Sequence, residues 1–206
     1  MNTLTEKNPD RRERKKTELR LKIIAETMQA FKKSGFHSIT MEQIAELSDI
    51  SKATLYKYFP VKEAILAAYW QEEMINSHDE FTLVIDHHAD TANRLIALLN
   101  CFMRRIMENR ALYEIYISYR LQNLNDIEGN KKLRSGAEQY VLQIITAGQE
   151  LGDIRADTAT QLLTSNFELL SIMQAMMWLR QPQEFCLETS SVMIVDLFLK
   201  GAGIHV

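Results

Sequence analysis

The chain holds 206 residues, 46% of them apolar and 25% charged, with a formal net charge of −3. That excludes a disordered polyelectrolyte and leaves room for one large core, or for a small domain joined to a larger one. Two cysteines, Cys101 and Cys186, are too few for a disulfide framework or a four-thiolate metal site and read as reduced thiols of a cytoplasmic chain. No apolar run approaches the ~20 residues that cross a bilayer, and the polar, charged N-terminal residues lack a secretory leader's apolar stretch, so no membrane partner is expected.

The charge is unevenly spread. Residues 1–60 carry 12 Lys and Arg against 8 Asp and Glu, whereas the remainder carries 12 against 19. A basic head on an acidic body draws a polyanion to one end of the molecule and repels it from the other. The densest tract, Arg11-Arg12-Glu13-Arg14-Lys15-Lys16, reads as part of a basic arm over residues 1–16 able to lie along phosphates. A merely solvating terminus is the alternative.

Prolines stand only at positions 9, 60 and 182, and neither a period-two run nor a hairpin dipeptide occurs, so the pattern predicts an all-α fold. A first helix over residues 17–33 sets Leu21, Ile24, Ala25, Met28 and Phe31 on one stripe, with Gly35 just past its end. A short helix starts at Thr40, where Thr40-Met41-Glu42-Gln43 fits a capping box, and its expected inner face is Met41, Ile44, Ala45 and Leu47. After the turn Ser48-Asp49-Ile50, Ser51 caps a second short helix over residues 52–58, closed by Pro60. Neither short helix can form a core alone; each needs the first helix as a wall. Ile24, Phe31, Phe36, Ile39, Ile44, Ile50, Leu55 and Phe59 supply the shared core. The next helix, from Val61 to about Asn76, carries Ala64, Ile65, Ala68 and Tyr69 inward. Residues 79–90, crowded with Asp and His, read as a helix end and loop. Five longer helices follow at about 91–108, 111–124, 128 or 131 to 151, 158–179 and 184–199.

The second short helix leaves Ser51, Lys52, Ala53, Thr54, Tyr56 and Lys57 outward, side chains able to reach base edges and phosphates from an element narrow enough for the major groove. The stretch Gly35-Phe36, Thr40-Met41-Glu42-Gln43-Ile44-Ala45, Ile50-Ser51-Lys52-Ala53-Thr54-Leu55-Tyr56-Lys57-Tyr58-Phe59 and Lys62-Glu63-Ala64-Ile65-Leu66 resembles the TetR family of transcriptional regulators. The resemblance covers about a quarter of the chain. It implies an N-terminal three-helix DNA-binding head with a helix-turn-helix over residues 17–61, and a larger helical bundle over residues 62–206 for effector binding and dimerisation. It implies a palindromic operator on double-stranded DNA, a repressor as the commonest mode, and DNA contacts at Thr40, Ser51, Lys52, Ala53, Tyr56, Lys57 and Lys62. The sequence departs from the family pattern at Val61, which offers no capping oxygen, and at Ser48 and Asp49 in the turn.

In the larger half, the last two helices hold more apolar faces than one internal seam uses, and an internal core is the competing reading. The family resemblance implies a homodimer joined there, with Leu163, Phe167, Met177, Phe185, Val192, Val195 and Leu199 as its interface. A soft and aromatic collection in the middle could enclose an apolar cavity, and the resemblance places an apolar or aromatic effector there. Its candidate contacts are Cys101, Ile106, Tyr113, Tyr116, Ile117, Tyr140, Ile144, Phe167, Leu170 and Met173; a dense core without a cavity is the alternative. No catalytic motif occurs, no cofactor is implied, and Asp86-His87-His88-Ala89-Asp90 has metal-binding residue types without metal-binding spacing. A helical ligand-binding or dimeric scaffold protein without DNA binding is the second functional reading.

Overall fold

The computed structural model describes residues 11–123, 126, 133–181, 183 and 187–202. Every regular element among them is helical. The chain divides into two units, residues 1–69 and 70–206.

The first unit contains α1 (Arg11–Ser34), a 3-10 turn (Phe36–Ser38), α2 (Met41–Leu47), α3 (Lys52–Tyr58) and the start of α4 (Lys62–Asn76). The basic tract is not an arm: α1 begins at Arg11, six residues before the expected start. No glycine or proline interrupts the tract, and Lys16 reaches back to Glu13 at 3.6 Å across one turn. Residues 1–10 lie outside the described residues. The inner face of α1 is Ile23, Ile24, Thr27, Met28 and Phe31, while Leu21 and Ala25 are exposed. These side chains share a core with Phe36, Ile39, Ile44, Ala45, Leu55 and Phe59, and the Phe31 and Phe36 rings lie 4.8 Å apart. Ile50 is only half-buried.

Local chemistry defines both short helices. The Thr40 hydroxyl accepts from Gln43 N at 3.2 Å and the Gln43 side chain accepts from Thr40 N at 2.8 Å, closing the capping box. Ser51 Oγ accepts from Thr54 N at 3.1 Å. Between the helices Asp49 takes φ 58°, a left-handed position that a short polar side chain tolerates better than an apolar one. The division between units falls inside α4, after Tyr69, rather than at residue 61. The first turn of α4 is tied to the head, because Lys62 Nζ donates to the carbonyls of Phe36 at 2.9 Å and Ile39 at 2.8 Å.

The second unit comprises the rest of α4, α5 (His78–Asp86), α6 (Thr91–Glu108), α7 (Arg110–Gln122), α8 (Glu138–Leu151), α9 (Thr160–Arg180) and α10 (Leu187–Ala202). Where a helix end and a loop were expected, α5 is a separate helix: Phe81 and Ile85 fall one turn apart and are both buried. Helix α8 begins at Glu138, two residues after Gly136 at φ 93°; the expected start at residue 128 or 131 lies outside the described residues. The core draws on Phe81, Leu95, Leu98, Tyr140, Ile145, Phe167 and Val195.

Close approach of α6 and α8 depends on Gly148. A Cβ there would stand 2.9 Å from Thr91 Oγ1 and 3.0 Å from Ile154 Cδ1, and that Thr91 hydroxyl donates to Asp153 at 2.8 Å. Gly148→Ala is expected to cost about 1–3 kcal/mol through overpacking, read as a lower Tm in calorimetry. A Tm unchanged or raised counts against the close contact.

Candidate nucleic-acid interface and ligand cavity

The head presents one polar face. Ser51, Lys52, Ala53, Tyr56 and Lys57 are all exposed on or beside α3, while Leu55 on its opposite side is fully buried and Phe59 nearly so. Thr40, also exposed, stands at the N-terminus of α2 with its hydroxyl engaged in the cap. Lys52 Nζ lies 3.0 Å from Glu42 Oε1, and this lysine is the main reason the Glu42 carboxyl titrates below its ordinary range. The face therefore offers hydroxyls, a phenol and two ammonium groups on a rod that fits a groove ~12 Å wide.

Lys62 is a correction. Its ammonium is spent on two carbonyls of its own head and stacks over the Phe36 ring at 4.4 Å, so it serves as a strut, not as a free phosphate contact.

The second unit contains a partly open cavity of about 90 Å³. One water needs roughly 10–15 Å³ on that scale, so the space suits a guest of several non-hydrogen atoms. Of the ten expected effector contacts, Ile106, Tyr113, Tyr116 and Phe167 line it. The other six do not, and helical geometry explains why. Phe167, Glu168, Ser171, Ile172 and Ala175 put one face of α9 on the wall, which turns Leu170 aside and leaves Met173 exposed. Cys101 donates toward Glu80 at 3.4 Å on another face of α6. Ile117 and Ile144 are buried away from the wall. The Tyr140 hydroxyl donates to the Met74 carbonyl at 3.4 Å and meets His78 Nδ1 at 3.1 Å.

The walls hold groups that the sequence reading missed. Trp70 packs edge-on against Tyr113, with centroids 5.2 Å apart, and Tyr113 against Tyr116 at 5.8 Å. Arg120 donates to Glu168 Oε1 at 2.7 Å, Arg134 donates to Glu168 Oε2, and Arg134 Nε lies 3.3 Å from Glu138. Tyr116 donates to the Leu133 carbonyl at 2.9 Å. Burial pushes its phenol up to about 12, with Arg120 partly opposing, and pushes the Tyr113 phenol higher still. Both stay protonated at neutral pH. A signal for Arg120 existed: it continues the buried stripe of Tyr116 and Ile117 at helical spacing, where a lone charge demands a partner.

The expected dimer seam is also redrawn. Leu163, Phe167 and Val195 are buried in the unit's own core, and Phe167 meets Phe198 at 5.0 Å. They are unavailable to a second chain. Met177 and Val192 are exposed and Leu199 is half-buried; Phe185 lies outside the described residues. Further exposed apolar side chains are Leu162, Leu169 and Met173 on α9 and Met193 and Leu197 on α10. No helix among the described residues is long and apolar enough to cross a membrane, and no group of three or more His, Cys, Asp or Glu among them is placed to hold a metal.

Residues 23–69 match the family model for bacterial regulatory proteins of the tetR family. An uncharacterized HTH-type transcriptional regulator of Mycobacterium tuberculosis is 35% identical over 75 residues, 36% of this chain and 37% of that protein. The HTH-type transcriptional regulator RutR of Escherichia coli is 46% identical over 46 residues, 22% of each chain. These matches thus span well under half of either relative's length. In fold the likeness runs further. The TetR-family repressor FadR of Thermus thermophilus, solved with lauroyl-CoA, superposes with a TM-score of 0.76 over 91% of this chain and 96% of its own, at 19% identity. Residues 23–69 thus match the tetR family of bacterial regulatory proteins, and the chain as a whole shares the all-helical fold of a TetR-family repressor.

Proposed function

We propose that this chain is a ligand-responsive transcriptional repressor that binds a palindromic operator as a homodimer and leaves it when a small effector fills the cavity of the second unit. The observation that carries the reading is the exposed polar face of α3 within the family-matched segment, with Ser51, Lys52, Ala53, Tyr56 and Lys57 held outward by the buried Leu55 and Phe59. Thr40 joins that face through the N-terminus of α2, whose amides favour a phosphate. The homodimer pairs the exposed apolar side chains of α9 and α10. Such a pair suits half-sites about one helical turn, ~34 Å, apart. Helix α4 supplies both the strut Lys62 and the cavity residues Trp70 and Met74, so a ligand that shifts it opposes the operator through linkage.

Selection of bound sequences from random duplex tests this reading. The expected product is a two-fold symmetric consensus. Enrichment of no sequence, by protein that is folded and dimeric, favours a ligand-binding scaffold instead.

Glu42 gives a further check. It neutralises Lys52 and places a negative charge beside the backbone of any bound duplex. Glu42→Gln is expected to tighten operator binding a few-fold at low salt, with the gain fading as the Debye length shrinks below about 10 Å. Unchanged or weaker binding at low salt, measured by fluorescence anisotropy, counts against phosphate lying near α2.

A further inference from the structure

Resting on the effector reading above, we infer that the ligand is a small, uncharged, single-ring aromatic molecule bearing a hydroxyl that both donates and accepts hydrogen bonds. Size and shape come from the cavity, about 90 Å³, walled by Trp70, Phe102, Tyr113, Tyr116 and Phe167. Rings at such a wall favour an edge-on or offset aromatic guest.

Charge narrows the class. Arg105 on the wall already faces Glu73 at 3.6 Å and pairs with Glu80. Arg120, Arg134, Glu138 and Glu168 form a second group with two charges of each sign. An anionic guest finds each of these cations already facing a carboxylate, and it would bring another negative charge beside Glu138 and Glu168. A cationic guest meets the guanidinium groups of Arg105 and Arg120 on a mostly apolar wall, where like charges repel more strongly than in bulk water.

A bare hydrocarbon does not satisfy the wall either. Tyr113 presents its phenol on the wall beside Glu138 and Arg105, and among the described residues Glu138 Oε2 and Arg105 Nε are buried without a hydrogen-bond partner. Leaving such groups unmatched under an apolar guest is costly. The carboxylate oxygen wants a donor, the guanidinium nitrogen wants an acceptor, and the phenol can serve as either. A ligand hydroxyl supplies both roles without adding charge, which neither an ether nor an alkyl group can do.

Calorimetric titration of the full-length chain with four probes of matched size decides the matter: para-cresol, toluene, benzoate and benzylammonium. Para-cresol is expected to bind at least tenfold tighter than each of the others. Tyr113→Phe, which keeps the ring, is expected to lower para-cresol affinity about tenfold and leave toluene unchanged. Equal binding of toluene, a lead for benzoate or benzylammonium, no saturable binding by any probe, or a Tyr113→Phe protein that keeps the full preference overturns the inference. Retention of the selected operator is read in the same samples. If para-cresol leads yet the operator stays bound, the switch reading fails while the ligand class stands; if a charged probe leads and releases the operator, the reverse holds.

Discussion

Replacing Lys52, Tyr56 and Lys57 together with alanine is expected to abolish retention of the operator while leaving the fold and the dimer in place. The three side chains are exposed and contribute nothing to the buried core of the head, so the stability change should stay within about 0.5 kcal/mol. Each hydrogen bond to a charged phosphate is worth roughly 1.5–3 kcal/mol, so three lost per head weaken binding by about a thousandfold or more. The salt dependence carries a second signature. Each lysine that neutralises a phosphate adds about 0.9 to the slope of log K against log salt. Two lysines per head then remove a slope of about 2, or about 4 for a dimer seated on both half-sites. A variant that binds with undiminished affinity, or with the original slope, removes α3 from the groove.

The largest expected loss of stability comes from Glu168→Ala. One carboxylate serves two guanidinium groups, accepting from Arg120 at 2.7 Å and from Arg134. The Arg120 side chain is only 9% exposed and that of Glu168 16%. Removing a buried counter-charge costs about 3–5 kcal/mol, because the remaining charge keeps its desolvation penalty and loses its compensation. For a chain of this size that is a fall in Tm of roughly 6–20 °C. Glu168→Gln keeps acceptor geometry and should fall between wild type and alanine. Thermal unfolding followed by circular dichroism checks both; a Glu168→Ala protein that melts within a degree of wild type dismisses the shared ion pair.

The same buried group shows where sequence reading stopped. Arg120 and Glu168 stand 48 positions apart on α7 and α9, and no spacing rule links residues so distant. The aromatic residues Tyr113, Tyr116 and Phe167 were legible as cavity candidates because their types announce them. Of the polar wall only Arg120 left a trace, in its helical spacing from Tyr116 and Ile117; its partner Glu168 left none, because a glutamate on a helix ordinarily faces water. Lys62 failed differently: its position matched a familiar contact, but two carbonyls released at the 3-10 turn captured its ammonium.

By itself the sequence determined the elements of the head, their caps and the outward face of α3. Those depend on interactions within a few residues: a threonine oxygen reaching an amide three positions on, a serine doing the same, and one apolar stripe per helix. Tertiary structure alone decided which apolar side chains of α9 face inward. That helix is apolar around much of its circumference, with Leu163 and Phe167 buried and Leu162, Leu169, Met173 and Met177 exposed. Its period therefore names no unique inner side. Only the neighbouring helices, by burying one side and leaving the other, separate core from cavity wall and from surface.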